Sequence, residues 1–354
     1  MIAFMLERAG LDPTAVIGGR LRAFGSNARL GRGEFMVAEA DESDRSFLKL
    51  SPTLAVVTNI DYEHLENYGG FEDLQQAFVD FANKVPFYGG VIACADDPHL
   101  SAVLPRMTRR VTTYGLEAGG CEITATEVTL RPFGVDAIVR RRGRLADDPT
   151  AATAMLGPLS LQVPGRHNLQ NALAAVTVGL ELGLPFERIA TALHEFRGVE
   201  RRFDVRGEPN GILIVDDYSH HPTEIAAALA AARVMNRRLV VAFQPHRHTR
   251  TAALMDAFGP ALAAADYVVL GDIYAAGEEP IAGVTVETLA SAIRRTVRAP
   301  VEVARSIDEV VATLVRVTKP GDVVMTLGAG SIGTVPERLL EALSGDAGAK
   351  GSGA

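Results

Sequence analysis

The sequence predicts an α/β protein in which two units, each built on a largely parallel sheet, follow one another along the chain. Short runs of β-branched and aliphatic residues alternate with longer segments of helical periodicity, which is typical of doubly wound sheets covered by helices on both faces. The alternation is interrupted over residues 121–163 and begins again near Phe203. The length of 354 residues also favours more than one domain, because a single core stops growing at roughly 250 to 300 residues.

Four short apolar runs in the first unit are interpreted as buried parallel strands, since continuous aliphatic runs are typical of strands covered on both faces. Ahead of them, the segment MIAFMLERAG has the pattern of an amphipathic helix that stops at Gly10. Apolar residues at helical spacing predict another helix over 71–85. The predicted strands are 15–17, 35–38, 54–58 and 90–93.

The middle and second part of the chain complete this outline. Alternating Thr and Val with a basic run at 140–142 predict a small antiparallel excursion with a solvated turn. We place the domain boundary near Gly198, and we expect the tail 347–354 to be disordered because it lacks apolar periodicity. The predicted helices are 169–182, 222–233 and 307–317, and the strands of the second unit are 212–215, 239–243, 267–270 and 323–325.

Composition limits the classes of function. Hydrophobic residues make up 47% and charged residues 22% of the chain, which excludes a wholly disordered protein. The net charge of −8 argues against nucleic-acid polymers as partners, because those need a basic face. Cys94 and Cys121 are the two cysteines and cannot form a disulfide framework or zinc knuckle, so a reducing cytoplasm is expected. No apolar run approaches the roughly 18 residues of a membrane span.

Polar residues just after the predicted strands are the candidates for chemistry, because open α/β sheets bind ligands at the carboxyl ends of their strands. The acidic run 39–44 is either a solvated turn or a site for a hard cation such as Mg²⁺. His64 is either a ligand or base, or a surface histidine. Asn168 and Asn171, at a helix start, are either N-caps or readers of an adenine edge.

Three further polar segments follow strands of the second unit. Segment 216–224 holds two Asp, two His and a Tyr before a helix with Pro222 in its first turn. In segment 244–251, Arg247 and Arg250 are suited to a carboxylate or phosphate, the alternative being a basic surface loop. The glycine-rich segment 327–333 predicts a tight strand-to-helix turn that is able to contact an anion.

Seven segments of the sequence, six of which contain the candidates above, together resemble the Mur ligase family, and the resemblance extends from Met1 to about Leu343. Two of them, DDYSHHPTEI and FQPHRHTRT, are typical of the alanine-adding branch and of the murein tripeptide ligase of cell-wall recycling. In chain order the segments are EADESD, TNIDYEHLENYG, GRHNLQNALAA, GVERRFD, DDYSHHPTEI, FQPHRHTRT and LGAGSIG.

The resemblance implies a central P-loop-type doubly wound sheet, incomplete at its N-terminus, over 1–198, followed by a Rossmann-like α/β domain over 199–346. It also implies an ATP- and Mg²⁺-dependent amide ligase of peptidoglycan precursor synthesis. Such an enzyme joins L-alanine to the lactyl carboxylate of UDP-N-acetylmuramate through an acyl phosphate, as a monomer or homodimer. The murein tripeptide ligase, and a non-catalytic module that binds nucleotide or docks a partner, stay open as alternatives.

Individual roles also follow from the resemblance, each at a position that matches a family motif. Glu39 and His64 would ligate Mg²⁺, and Asn171 is the favoured reader of the adenine. Asp216 or Asp217 would approach the ribose or position the amine. The other implied contacts are His167 and Asn168 at the adenine, Arg201 and Arg202 at the phosphates, Gly18, Gly19, Ser26 and Asn27 at the muramate sugar, and Tyr218, His220, His246, Arg247 and Arg250 at the alanine and acyl-phosphate site.

Two departures from the family pattern matter. Family members carry an N-terminal domain for the uridine diphosphate and then a phosphate loop of the GTHGKTTTT kind, and this sequence has no GxxxxGK[ST] motif. Such a loop supplies backbone donors, a Lys and a Mg²⁺-binding hydroxyl, so we expect an N-terminally truncated ligase with little or no activity by itself. His248 stands where Tyr is usual, and no catalytic role is assigned to it.

Overall fold

A computed structural model describes residues 1–21, 25–143 and 153–350, with the backbone alone described for residue 21 and for 345–350. The chain divides into two compact units, Met1–Arg197 and Gly198–Ala354. In the part of the chain that the structure describes, no helix combines the length and apolarity needed to cross a membrane.

The N-terminal unit begins with a short helix, which ends just before Gly10 as predicted; Gly10 has the left-handed φ of 77°. In chain order its helices and strands are α1 (Ile2–Arg8), β1 (Thr14–Leu21), β2 (Ser26–Arg29), β3 (Met36–Ala38), β4 (Leu54–Val57), α2 (Phe71–Asn83), β5 (Gly90–Cys94), α3 (Pro98–Val103), β6 (Val111–Gly115), β7 (Ile123–Arg131), β8 (Gly134–Arg142), β9 (Thr153–Leu161), α4 (Arg166–Glu181) and α5 (Phe186–His194).

The larger sheet of this unit joins parallel strands to an antiparallel extension. Among the described residues its order is β4-β5-β6-β7-β8-β9. Strands β4 to β7 are parallel, whereas β8 runs antiparallel to both β7 and β9. Helix α4 packs against β5, β6 and β7, three of the parallel strands. The predicted mostly parallel sheet with an antiparallel excursion is confirmed.

Two sequence expectations about this unit are wrong in detail. Strands β1 and β3 were expected to be buried, but with β2 they form a separate sheet of the described residues, in which Val16 is 45% and Met36 64% exposed. An apolar run shows that a strand is able to be buried, whereas burial depends on what packs against it. The basic run 140–142 was expected in a turn and lies in strand β8, where Arg140 donates to the Thr126 hydroxyl at 2.9 Å.

The C-terminal unit continues the alternation of strands and helices. In chain order its helices and strands are β10 (Asp204–Gly207), β11 (Leu213–Asp217), α6 (Pro222–Arg233), β12 (Leu239–Phe243), α7 (His248–Ala253), α8 (Phe258–Leu262), β13 (Tyr267–Gly271), α9 (Val286–Arg294), β14 (Val301–Ala304), α10 (Ile307–Val317), β15 (Val323–Leu327) and α11 (Val335–Lys350).

One sheet forms the centre of this unit, with the order β10-β11-β15-β12-β13-β14 among its described strands. All neighbours are parallel except β10 and β11. Successive residues of a strand point to opposite faces, so Val215 and Val241 belong to one buried cluster and Ile214 and Val240 to another. Helices α6, α8 and α9 contribute to the first cluster and α10 and α11 to the second, which confirms a doubly wound sheet.

Helix α11 extends to Lys350, four residues into the segment 347–354 for which a disordered tail was expected. Residues 351–354 lie outside the described residues.

Candidate functional site

Three aromatic side chains meet at the carboxyl edge of the C-terminal sheet. His220 follows β11 and His246 follows β12, and these strands flank β15, so their parallel carboxyl ends deliver both loops to one edge. The ring centroids of the two histidines are 5.6 Å apart, and the Tyr218 ring stands edge-on to His220 at 5.5 Å. The structure thus brings together three residues implied for the alanine and acyl-phosphate site, whose role stays a prediction.

Tyr274 joins this cluster and was missed from the sequence. Its ring stacks on His246 with centroids 5.5 Å apart and planes 14° apart. Its amide donates to the Pro245 carbonyl at 2.9 Å, and its carbonyl accepts the Arg247 N–H at 2.8 Å. The available signal was its position three residues beyond β13, at the same sheet edge. A tyrosine without neighbouring histidines or arginines did not stand out.

The basic segment after β12 is a structured turn. Arg250 Nη1 lies 3.2 Å from His246 Nδ1 and donates to the His246 carbonyl at 3.3 Å. On the other side, Glu278 accepts the amide and hydroxyl of Thr249 at 3.0 and 2.7 Å and lies 3.9 Å from Arg247 Nη1. These contacts hold both arginines beside the histidines, which favours the anion-binding interpretation over a loose surface loop.

The environment of His246 keeps its imidazole neutral at physiological pH. Burial, and then the charges of His220, Arg250 and Arg247, lower the pKa of His246 from 6.5 to about 4, with Glu278 opposing them. Because an arginine always donates, Nδ1 of the neutral ring must accept from Arg250 and the ring proton lies on Nε2. A neutral His246 ring adds no positive charge to that of Arg247 and Arg250 beside it.

This pKa predicts a pH dependence of stability. Between pH 6.5 and about 4 the unfolded chain takes up a proton at His246 that the folded chain does not, so this group makes the free energy of unfolding fall as pH falls through that interval and has no effect above it. Urea unfolding of the parent and His246→Gln at about pH 7, 5.5 and 4.5 measures the contribution. We expect the variant to lose less stability on acidification; equal losses would contradict the assignment.

Asp216 and Asp217 have structural partners instead of exposed oxygens. Asp216 is fully buried and accepts Arg201 Nε at 2.8 Å and the Thr326 hydroxyl at 2.7 Å. Asp217, also buried, accepts the amide of Ser219 at 2.8 Å and its hydroxyl. In this arrangement the two carboxylates hold the loop after β11, and the expectation that one of them approaches the ribose or amine stays a prediction.

The glycine-rich turn after β15 packs against protein side chains. Arg201 donates through Nη2 to the Gly328 carbonyl at 2.7 Å, and a Cβ at Gly333 would lie 2.6 Å from Arg201 Cζ. Gln244 accepts the Ile332 amide at 2.9 Å. The glycines therefore permit close approach of side chains, and the amide that an anion would need at Ile332 is already occupied. Arg201, expected at the phosphates, connects this turn to Asp216.

Glu224 organises the start of α6. Its carboxylate accepts Arg202 Nη1 at 3.0 Å and the amides of His220 and His221 at 3.1 and 3.3 Å. Burial alone would raise the pKa of Glu224, but the charges of Arg202 and His220 outweigh it and the pKa lies below its usual value. A phosphate at Arg202 would compete with this pairing.

In the N-terminal unit, the residues implied for the sugar and for the metal are in direct contact. The Gly18 amide donates to Glu39 Oε2 at 2.8 Å, and a Cβ at Gly18 would lie 2.8 Å from Glu39 Oε1. Gly18 and Gly19 belong to β1, whereas Ser26 and Asn27 belong to β2, its antiparallel neighbour. The four implied sugar residues thus lie on one pair of strands.

His64 has a left-handed backbone, with φ 56°, and lies between two carboxylates. Its Nε2 is 3.8 Å from Glu63 and its Nδ1 is 3.7 Å from Glu66. Among the described residues, no group of three or more His, Cys, Asp or Glu side chains is arranged to hold a metal ion. A metal at Glu39 or His64 would therefore need ligands from a substrate or water.

Helix α4 carries the three residues implied at the adenine. Its N-cap is Gly165, so neither asparagine caps it. Asn168 donates to the Pro164 carbonyl at 2.7 Å and lies 3.2 Å from His167 Nε2. Asn171 is exposed, and its amide side chain has no hydrogen-bond partner within the described ranges. Of the two asparagines, Asn171 is therefore the one whose amide is available to a ligand.

Comparisons with known families and curated proteins agree with one another. The model of the Mur ligase middle domain matches residues 19–179, and that of the Mur ligase glutamate ligase domain matches residues 201–330. The UDP-N-acetylmuramate--L-alanine ligase of Geobacter sp. (strain M21) is 49% identical over 342 residues, which cover 96% of this chain and 72% of the relative. The UDP-N-acetylmuramate--L-alanine ligase of Geotalea daltonii is 49% identical over 344 residues, which cover 97% of this chain and 73% of that relative.

Solved structures show the same similarity. The UDP-N-acetylmuramate-alanine ligase MurC of Thermotoga maritima superposes with a TM-score of 0.78 at 27% identity, covering 98% of this chain and 72% of that one. MurF ligase of the same organism, solved in complex with ADP, has a TM-score of 0.74 at 20% identity, covering 98% of this chain and 77% of that one. At that identity the similarity concerns the fold alone.

Proposed function

Because this chain belongs to the Mur ligase family, we propose that it joins L-alanine to UDP-N-acetylmuramate at the expense of ATP. The observation that carries the proposal is the identity of 49% to alanine-adding ligases over 96% of the chain. It is supported by the polar clusters that the fold places at the ends of its strands.

The chemistry we propose has two steps. An oxygen of the substrate carboxylate attacks the γ-phosphorus of ATP, which forms an acyl phosphate and releases ADP. The amine of L-alanine then attacks the acyl carbon and its nitrogen loses a proton, and the tetrahedral intermediate expels inorganic phosphate and leaves an amide. Both partners of the first step are anions, so positive charge must offset their repulsion. Arg247 and Arg250, held beside the neutral His246, are the cations we assign to the acyl phosphate.

We assign nucleotide and metal to residues of the N-terminal unit. Asn171 is exposed and able to pair with the adenine edge, with His167 beside it. Mg²⁺ is usually held by one or two protein carboxylates together with phosphate oxygens and water, and the exposed Glu39 fits that requirement. His64 is a less usual ligand for so hard a cation. When bound, the metal would screen the phosphate charges during transfer.

The first test is release of phosphate that depends on alanine. We expect the 354-residue chain by itself to show little turnover with UDP-N-acetylmuramate, L-alanine and Mg²⁺-ATP, because its sequence has no GxxxxGK[ST] motif. A fusion that places the uridine-diphosphate domain and phosphate loop of a curated relative ahead of Met1 should release phosphate, and only when alanine is present.

The amine substrate is varied in the same assay. Release with a peptide in place of alanine, but not with alanine, would identify the murein tripeptide ligase instead. A fusion that is inactive with both, although folded, would contradict the proposed ligase. Rapid turnover by the chain alone would refute the expectation that it needs a separate phosphate loop.

A further inference from the structure

The carboxylate of Asp96 joins three segments of the N-terminal unit. Asp96 lies just beyond β5 and accepts three consecutive amides that follow β6, those of Leu116, Glu117 and Ala118, at 2.6, 2.8 and 2.7 Å. Its fourth hydrogen bond, at 2.7 Å, comes from Gln170 Nε2 in α4. Four donors on one carboxylate are more than a solvated surface Asp acquires, and charge-assisted hydrogen bonds are the stronger kind.

The fit around this carboxylate is tight. A Cβ at Gly115 would lie 2.7 Å from Asp96 Oδ1 and 3.1 Å from Cys121 Sγ, so the turn after β6 has room for Asp96 only because residue 115 is glycine. Burial alone would raise the pKa of Asp96, but the hydrogen bonds of Leu116, Ala118 and Gln170 outweigh it and the pKa lies below its usual value. The group is therefore an anion at neutral pH.

The hydrogen bond from Gln170 connects Asp96 to the start of α4. Gln170 lies three residues after His167 and directly before Asn171, so a bond at Gln170 fixes the turn of helix that carries both. The N-cap of α4, Gly165, makes no side-chain capping hydrogen bond. A second link joins the same loop to the same helix, because Glu117 pairs with Arg166, the first residue of α4. That pair is largely exposed, and exposed pairs contribute little.

We propose that Asp96 is a positioning residue for nucleotide recognition, which holds the first turns of α4 against the loop after β6 and thereby sets the direction of His167 and Asn171. The proposal rests on the proposed function, which assigns these two residues to the adenine. Asp96 itself would touch no substrate.

The test separates the anchor from the fold. Gln170→Ala removes the link to α4 and leaves the three loop amides on Asp96, whereas Asp96→Asn weakens both. Asp266→Asn is the matched control, since Asp266 accepts Arg233 Nη1 at 2.7 Å and the Leu239 amide at 2.8 Å in the other unit. Each chain is titrated with ADP and followed by saturation transfer to the adenine protons, and amide hydrogen exchange is measured over 116–118 and 166–171.

We expect Gln170→Ala and Asp96→Asn each to raise the dissociation constant for ADP about tenfold, the loss typical of one hydrogen bond to a charged group. Exchange over 166–171 should accelerate in both variants, and the double variant should be little worse than Asp96→Asn. The control should bind ADP like the parent. If Asp96→Asn fails to fold, Gln170→Ala decides alone.

Two results would overturn the proposal: parent-like ADP binding and exchange in Gln170→Ala, or faster exchange throughout the N-terminal unit in that variant, which would make the link a general part of the fold. Because this sequence has no GxxxxGK[ST] motif, the titration is repeated in the active fusion, and failure of the fusion to bind ADP would contradict the assignment of adenine to α4. In that case the exchange data still decide whether Asp96 and Gln170 hold the helix.

Discussion

Replacing Asp216 by alanine should lower the free energy of unfolding of the C-terminal unit by roughly 3 kcal/mol, as expected when one partner of a buried ion pair is removed. Asp216 is fully buried, and its carboxylate accepts Arg201 at 2.8 Å and Thr326 at 2.7 Å. The substitution leaves the guanidinium of Arg201 without its carboxylate. Because the Arg201 side chain is 25% exposed, we expect the loss of unfolding free energy to be at the lower end of the range for buried pairs.

Urea unfolding followed by circular dichroism measures this cost, and amide exchange in β11 and β15 shows that it falls on the C-terminal unit. Asp216→Asn should cost less, because an amide keeps the shape and one acceptor. Asp308→Ala is the matched control, since Asp308 pairs with Arg338 at the surface with 80% of its side chain exposed; its loss should stay within about 0.5 kcal/mol. Equal costs for the two alanine variants would show that burial of Asp216 contributes nothing.

Replacing Arg250 by alanine should lower kcat/KM of the active fusion by about 10²- to 10³-fold, the loss typical when a preorganised donor to developing negative charge is removed. Its guanidinium is held by the ring and the carbonyl of His246 at 3.2 and 3.3 Å, so it needs little reorganisation to meet an acyl phosphate. The effect should appear mainly in kcat, because the charge is greatest in the transition state.

Arg250→Lys keeps the charge but loses the planar fork, so we expect partial recovery. Arg295→Ala removes an exposed arginine that pairs with Asp256 at 2.6 Å and should leave turnover unchanged. If Arg250→Ala retained full kcat with an unchanged KM for alanine, the assignment of this arginine to the acyl phosphate would be wrong.

Local patterns in the sequence predicted many of the helices and strands, because the formation of these elements depends on residues that are close together along the chain. The apolar run 239–243 coincides with β12, and the helix predicted over 222–233 coincides with α6. Pro222 in the first turn and a capping box formed by His221 and Glu224 define that start, and these signals lie within three residues of it. The approximate positions of these elements were thus predictable, but their ends were not. The strand predicted over 212–215 extends through Asp217, so both aspartates lie within β11 and not after it.

Contacts between distant segments were not predictable in the same way. Tyr274 stacks on His246, although the two are 28 positions apart in the sequence, because β13 lies next to β12 in the sheet. From the sequence, Asp216 and Asp217 were interpreted as residues of a ligand site. In the structure their carboxylates accept hydrogen bonds from Arg201, Thr326 and Ser219. Whether a carboxylate faces a ligand or a protein donor depends on which strand lies beside it.

By itself, the sequence determined the α/β class, the approximate positions of the predicted strands and the family, since each is encoded in periodicity or in short motifs. Only the tertiary structure decided which polar groups at those ends hold the fold and which are exposed to a ligand. The physical reason is that strand order and burial arise from packing across the whole sheet, and a pattern of neighbouring residues does not contain that information.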